Sequence, residues 1–477
     1  MPISPVARAI VIDTHQPSLR VAQGSQWLDA PSCKNVIQTR LVTAQPQTGL
    51  VRAIGRWSLA ALVVNSIIGS GVFGLPAMIA GLVGTASPVA VLLAGGAIGV
   101  IMACFAEVSS QFTEAGGPYL YARVAFGRFM GIQVGWMLWL ARLTAPAASA
   151  NLFVNYLDEF CPHATQPIPR FMILSLLVGL LAAVNYRGVR AATQVSNVST
   201  VAKLLPLGIV CVVGAFYLIA THRLFPAASS SAGANSWLKA MLLLIFAYGG
   251  FEAALTPMGE AKDPRRDAAF GLFVALVTCT LIYTLIQWIV VGVLPDSARS
   301  DRPLAEVARV TMGHGGAAMI AIGALVSVYG YLSANMLAVP RITFALAEQG
   351  DFPHVFASVH AKFRTPYFSI LIFALLTWLL ALFGSFSWNV TLSAVARLAY
   401  YGLVCAALPV LRRKQPEAAW FRLPGGPAFA VVGVLICLVL VTRVDLTKSL
   451  ILIATVVAAL LNWLLVRRGT PGELPVS

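Results

Sequence analysis

Residues 63–81 read VVNSIIGSGVFGLPAMIAG. Gly69, Gly71 and Gly74 fall in a G-x-G-x-x-G spacing, the pattern of a dinucleotide-binding turn. That turn needs a strand before it, a helix after it and an acidic residue about 20 positions on. Here no Asp, Glu, Lys or Arg occurs between Arg56 and Glu107. No βαβ unit can be drawn through such a run, so the phosphate reading is rejected. At about 20 apolar residues per helical crossing, the run holds two membrane helices. The glycines then interrupt the first of them near its centre.

The rest of the chain agrees with that class. Of 477 residues 58% are hydrophobic and 11% charged, where soluble domains carry about 25% charged residues. Mean hydropathy is +0.81. Apolar runs lie near 57–83, 88–111, 130–157, 171–187, 197–220 and 237–258. Six more lie near 268–294, 317–347, 366–384, 387–411, 428–443 and 448–466. None shows the short alternating pattern of a transmembrane strand. The expectation is an all-α polytopic membrane protein with twelve transmembrane helices.

The net charge of +15 is a topology signal rather than a nucleic-acid footprint. With both termini cytoplasmic, seventeen Lys and Arg fall in inner loops and eight in outer ones, as the positive-inside rule expects. The partners expected are the lipid bilayer and a small-molecule substrate, with no nucleic acid. Seven cysteines show no CxxC or Cys/His spacing, so no metal site is expected. Residues 1–50 are polar and irregular, without an apolar core for a signal peptide, and are read as a disordered cytoplasmic tail.

A second interruption lies at residues 242–266, LLLIFAYGGFEAALTPMGEAKDPRR, with Gly249-Gly250 and then Pro257. Unpaired backbone groups cost several kcal/mol each in hydrocarbon, so a broken span needs a reason. The breaks fall in spans one and six, and an odd number of spans per half inverts the second half. Matched interruptions in inverted halves point to a secondary transporter's binding site. N–H groups opening the second half-helix can hold a carboxylate, and carbonyls closing the first can accept from an ammonium. A zwitterionic amino acid fits such a pair. The expected architecture is a 5+5 inverted repeat, about 57–220 and 237–411, within a ten-helix core at 51–411. Helices 11 and 12 follow, within 412–477.

Three stretches carry a family resemblance. IIGSGVFGLP at 67–76, FAYGGFEAALTPMGEAKDPRR at 246–266 and YLSANMLAVPRITFALAEQGDFPHVFASVHAKFRTP at 331–366 resemble the first, sixth and eighth spans of the amino acid–polyamine–organocation (APC) superfamily. FAEVSSQFTEAGGPYLYAR at 105–123 is similar to the end of its second span, and Asp263 stands where the family usually has Asn. The resemblance covers the chain from about residue 52 and implies a LeuT-type fold. It implies that the substrate carboxylate binds backbone around Ile68, Gly69, Ser70 and Gly71. The amino group would meet backbone near Phe246, Ala247, Gly249 and Gly250, with Phe246 as an aromatic gate. Gly74 is left as a packing glycine.

Five ionisable groups lie inside spans: Glu107, Arg142, Lys203, Glu252 and Arg397. Such groups are functional candidates by default. Lys203, in VSNVSTVAKLLPLG at 195–208, resembles the fifth-span lysine of proton-coupled relatives. It is read either as a proton carrier or as a permanent cation standing where sodium binds elsewhere. Glu252 either relays a proton or braces the broken helix. Glu107 is expected to brace a loop, and Arg142 and Arg397 to pair with intramembrane carboxylates. Ser327, Ser333 and Asn335 are candidate pathway residues. The function expected is a secondary active amino acid transporter of the cell or inner membrane, not an enzyme, with no cofactor and H+ as coupling ion. Exchange of amino acids or amines is the nearest alternative, and a non-transporting nutrient receptor a further one. With no surplus of pocket acids, neutral substrates are expected.

Overall fold

The computed structural model describes residues 21–23, 26–28, 55–112, 116–187, 192–223, 232–255, 262–416 and 418–466, by backbone alone for 21–28, 192–202 and 264–265. Contacts divide the chain into two units, Met1–Val51 and Arg52–Ser477. In the first, β1 (Val21–Gln23) pairs antiparallel with β2 (Gln26–Leu28). The sequence reading of residues 1–50 as disordered missed this hairpin; the remainder of that tail lies outside the described residues.

All of the secondary structure described in the second unit is helical. In order, α1 (Arg56–Ile67), α2 (Gly71–Val83), α3 (Ser87–Ser109), α4 (Gly117–Phe126) and α5 (Arg128–Leu157) come first. Then follow α6 (Pro167–Arg187), α7 (Ala192–Ala220), α8 (Ala234–Tyr248), α9 (Phe251–Ala254) and α10 (Pro264–Val293). Last are α11 (Pro303–Glu348), α12 (Tyr367–Phe383), α13 (Phe386–Lys414), α14 (Gly426–Val441) and α15 (Leu446–Val466). Each of the twelve apolar runs carries helix. Eight segments are long and apolar enough to cross a membrane, and Tyr367–Phe383 and Gly426–Val441 are shorter apolar helices. The chain is a polytopic membrane protein.

Local chemistry sets the boundaries. Pro118, Pro264 and Pro303 sit in first turns, where a fixed φ helps and no N–H is needed. The Ser385 side chain accepts from the N–H of Trp388 at 3.2 Å and caps α13. Gly313, at φ 73°, breaks α11 so that its apolar part follows the kink. Outward faces stay apolar: Leu176, Val212, Phe216, Leu281 and Leu465 are all exposed, as suits hydrocarbon solvent.

The two interrupted segments cross each other at the centre. α2 packs on α8, and α9 packs on α1. α13 lies against α5, α4, α3 and α8, while α11 lies against α5 and α7. Every group discussed below is hung on this frame.

Candidate functional site

Helix α1 ends at Ile67 and α2 restarts at Gly71. The N–H groups of Gly71 and Val72 open the second half-helix, one turn before any intrahelical acceptor exists for them. Ser70 is buried, and its hydroxyl oxygen accepts from Ser149 Oγ of α5 at 2.8 Å. Ile68 is used otherwise than the sequence suggested. Its N–H donates to Val64 O at 2.9 Å and its carbonyl accepts from Lys203 at 2.7 Å. Among the residues named from the sequence at the first break, the Ile68 N–H and carbonyl are already paired, which leaves Gly69, Ser70 and Gly71 as the ones to consider.

At the second break Gly249 is extended, with φ −71° and ψ 160°, and Gly250 takes φ +112°. Glycines are required here for packing as well as for conformation. A Cβ on Gly71 would stand 3.1 Å from Ala247 Cα, and one on Gly249 2.5 Å from the Arg397 guanidinium. A Cβ on Gly250 would run into the carbonyl of Ser66. Gly74 is a packing glycine, since its Cβ would meet the Phe386 ring at 2.5 Å.

Strain at positive φ adds to the backbone clash at Gly250. Gly250→Ala should lose about 1–3 kcal/mol from strain alone and leave little folded protein. Gly96→Ala, where nothing lies within 4 Å, should be tolerated. Detergent gel filtration and thermal unfolding of both variants check this; equal stability would refute it.

Lys203 is 7% exposed. Its ammonium donates to Asn65 O and Ile68 O, each at 2.7 Å. These are carbonyls that the end of α1 leaves short of intrahelical donors. Tyr283 of α10, which sequence reasoning missed, puts its hydroxyl 3.0 Å from Ile67 O and 3.2 Å from Ala247 O. One phenol thus touches both broken segments. Nothing in an apolar run of α10 marks that tyrosine out beforehand.

Glu252 is buried just past the second break. Its Oε1 pairs with Arg397 Nη1 and accepts from Tyr400 at 2.9 Å. Its Oε2 accepts from Tyr401 at 3.0 Å and from the Gly250 N–H at 2.9 Å. Arg397 and the two tyrosines all belong to α13, so one carboxylate clamps the broken helix to that helix. Of the two arginines expected to find intramembrane carboxylates, Arg397 does. Arg142 makes no ion pair or hydrogen bond among the described residues, and its Nε is buried without a partner.

The remaining predicted positions are less engaged. Phe246 is buried and its carbonyl accepts from the Gly249 N–H at 3.2 Å. Ser327 and Ser333 are buried on α11, and Asn335 donates back to Tyr331 O of its own helix at 2.9 Å. No group of His, Cys, Asp and Glu fit for a metal ion occurs among the described residues.

One end of the bundle carries an ion cluster that the sequence reading did not single out. Asp351, fully buried, pairs with Arg123 and Arg128 at 2.7 Å each and accepts from Tyr119. Burial, then the Asp351 carboxylate, push the Tyr119 phenol well above its ordinary pKa, so it stays a donor. Nearby in kind, Glu107 braces a loop as expected, accepting from Arg412 at 2.5 and 2.7 Å and from the Leu423 N–H at 2.8 Å. At the opposite end, Glu159 pairs with Arg309 at 2.6 Å. There a cavity of about 330 Å³ is lined by Gly74, Asn151, Arg170, Asp301 and Phe386.

Interrupted helices crossing in the core, with a lysine on the freed carbonyls, are the features to compare with known proteins. Residues 54–461 match the family described as Amino acid permease. The chain belongs to that family. The permease is 27% identical over 406 residues to the methylthioribose transporter of Bacillus subtilis, covering 82% of this chain and 87% of the relative. It is 26% identical over 431 residues to a branched-chain amino acid permease of the same organism, covering 86% and 91%. It is also 26% identical over 412 residues to the arginine/agmatine antiporter of Chlamydia pneumoniae, covering 81% and 84%. The permease is a transporter and not an enzyme, and the APC resemblance read from its motifs holds.

Proposed function

We propose that this permease is a secondary active transporter of amino acids that works by alternating access. The observation that carries the reading is the crossing of two interrupted helices, α1/α2 and α8/α9, each with backbone groups released from helical pairing. Gly69, Ser70 and Gly71 offer donors for the substrate carboxylate. The carbonyls of Phe246 and Ala247, which each accept one bond already, from the Gly249 N–H and the Tyr283 hydroxyl, keep a second lone pair for the ammonium. Phe246 closes over the site as its gate, with Ser327, Ser333 and Asn335 along the pathway.

The reading includes twelve spans in a 5+5 inverted repeat with two further helices, both termini cytoplasmic, in the cell membrane. On that orientation the Asp351 and Glu107 clusters lie at the cytoplasmic end. The ten-helix core spans 51–411.

Proton coupling is assigned to Lys203. Its ammonium holds the Asn65 and Ile68 carbonyls with two charge-assisted bonds; loss of its proton removes the charge and weakens both, which loosens the end of α1 and lets that half-helix move. Glu252 serves as the brace, because Arg397, two tyrosines and a backbone N–H already occupy its oxygens. Purified protein in proteoliposomes should take up labelled amino acid down an inward pH gradient without sodium. Uptake driven by a sodium gradient alone would defeat the proton assignment. Exchange is the second reading, favoured by the relative named as an arginine/agmatine antiporter. It predicts uptake only into vesicles preloaded with amino acid or amine.

A further inference from the structure

We infer that Arg142 binds a side-chain carboxylate of the substrate, which makes the preferred substrate an acidic α-amino acid. The inference rests on the amino-acid reading above and goes beyond it by naming the substrate class. It also reverses the sequence-based expectation of neutral substrates, which weighed pocket acids and not unpartnered bases.

Position comes first. Arg142 lies in α5 seven residues before Ser149, whose hydroxyl donates to Ser70 at the first break. Seven residues are two helical turns, about 10 Å along the axis and on nearly the same face. Arg142 also lies within electrostatic reach of Glu252 and of Tyr331, and Glu252 sits two residues past Gly250. The guanidinium therefore shares the face of α5 that carries Ser149 and lies within reach of Glu252, rather than facing lipid.

Charge accounting comes second. Among the described residues, three cations, Lys203, Arg142 and Arg397, and one carboxylate, Glu252, lie near the breaks. Lys203 is met by two helix-end carbonyls. Arg397 is met by Glu252, whose oxygens are filled by the other three donors named above. Arg142 is left over, with a buried Nε that has no acceptor among the described residues. A half-buried guanidinium whose Nε has no acceptor, and which makes no ion pair among the described residues, gains from an anion that arrives with the substrate. A planar fork of donors is matched in shape by a carboxylate bound at two points. A substrate carrying a second negative charge supplies that anion, whereas a basic side chain would meet repulsion.

L-glutamate and L-glutamine are near-isosteric probes that differ in this charge. In proteoliposomes of the full chain, unlabelled L-glutamate should inhibit uptake of tritiated L-glutamate at least tenfold more strongly than L-glutamine does. Arg142→Gln should cut that preference at least tenfold, and Arg142→Lys should retain part of it. If Arg142→Gln fails to fold by gel filtration, the wild-type preference and the Arg142→Lys ratio decide. Wild-type protein that takes up neutral amino acids with no preference for L-glutamate overturns the inference and leaves the transporter reading intact. A preference that survives Arg142→Gln also overturns it. Failure of every amino acid, charged or neutral, to bind or enter removes the amino-acid reading as well.

Discussion

Proteoliposomes carrying Lys203→Met are expected to take up amino acid at less than about one-hundredth of the wild-type rate. The side chain makes two hydrogen bonds from a charged donor to backbone carbonyls at the end of α1. Each such bond is worth roughly 1.5–3 kcal/mol, and about 1.4 kcal/mol is a factor of ten. Methionine fills similar volume but leaves Asn65 O and Ile68 O without that donor in a buried setting. Uptake under a pH gradient, compared at equal reconstituted protein, reads the loss. Near-normal uptake would show that Lys203 neither couples nor holds the break.

The second large effect concerns the clamp on the other broken helix. Arg397→Met should destabilise the protein by about 3–5 kcal/mol, the cost of stranding one partner of a buried ion pair. Glu252 would keep Tyr400, Tyr401 and the Gly250 N–H but lose its counter-charge. The double variant Glu252→Met with Arg397→Met should recover part of the loss, because neither member of this pair is then left as a stranded buried charge. Thermal unfolding in detergent compares both variants with the wild type. A double variant no better than Arg397→Met alone would show that the tyrosine and backbone bonds, not the ion pair, carry the clamp.

The breaks themselves were legible because glycine clusters in an apolar run have few explanations in a bilayer. Gly69 to Gly71 and Gly249-Gly250 fall at the observed interruptions, and Lys203 stood out as a charge inside a span. What sequence could not supply is pairing across distance. Arg397 and Glu252 lie 145 positions apart, and only the approach of α13 to α9 joins them. Arg123 and Arg128 have the same loop-end signature as lipid-facing anchors, so their convergence on Asp351 was invisible. Ile68 shows a subtler limit. Its place beside the glycines suggested an anion site, yet its carbonyl is spent on Lys203 and its N–H on Val64. Local motif position fixes where a residue is, while partner count fixes what it has left to offer.

The proposed function has the paired breaks form a site that moves amino acids across a membrane. Counterflow tests it most directly. Vesicles reconstituted with the purified protein and loaded with unlabelled amino acids are diluted into a trace of tritiated amino acid. The account predicts transient accumulation of label above equilibrium in protein-containing vesicles and none in empty ones. Saturable binding to the purified protein without any such accumulation would contradict it and leave a receptor in its place.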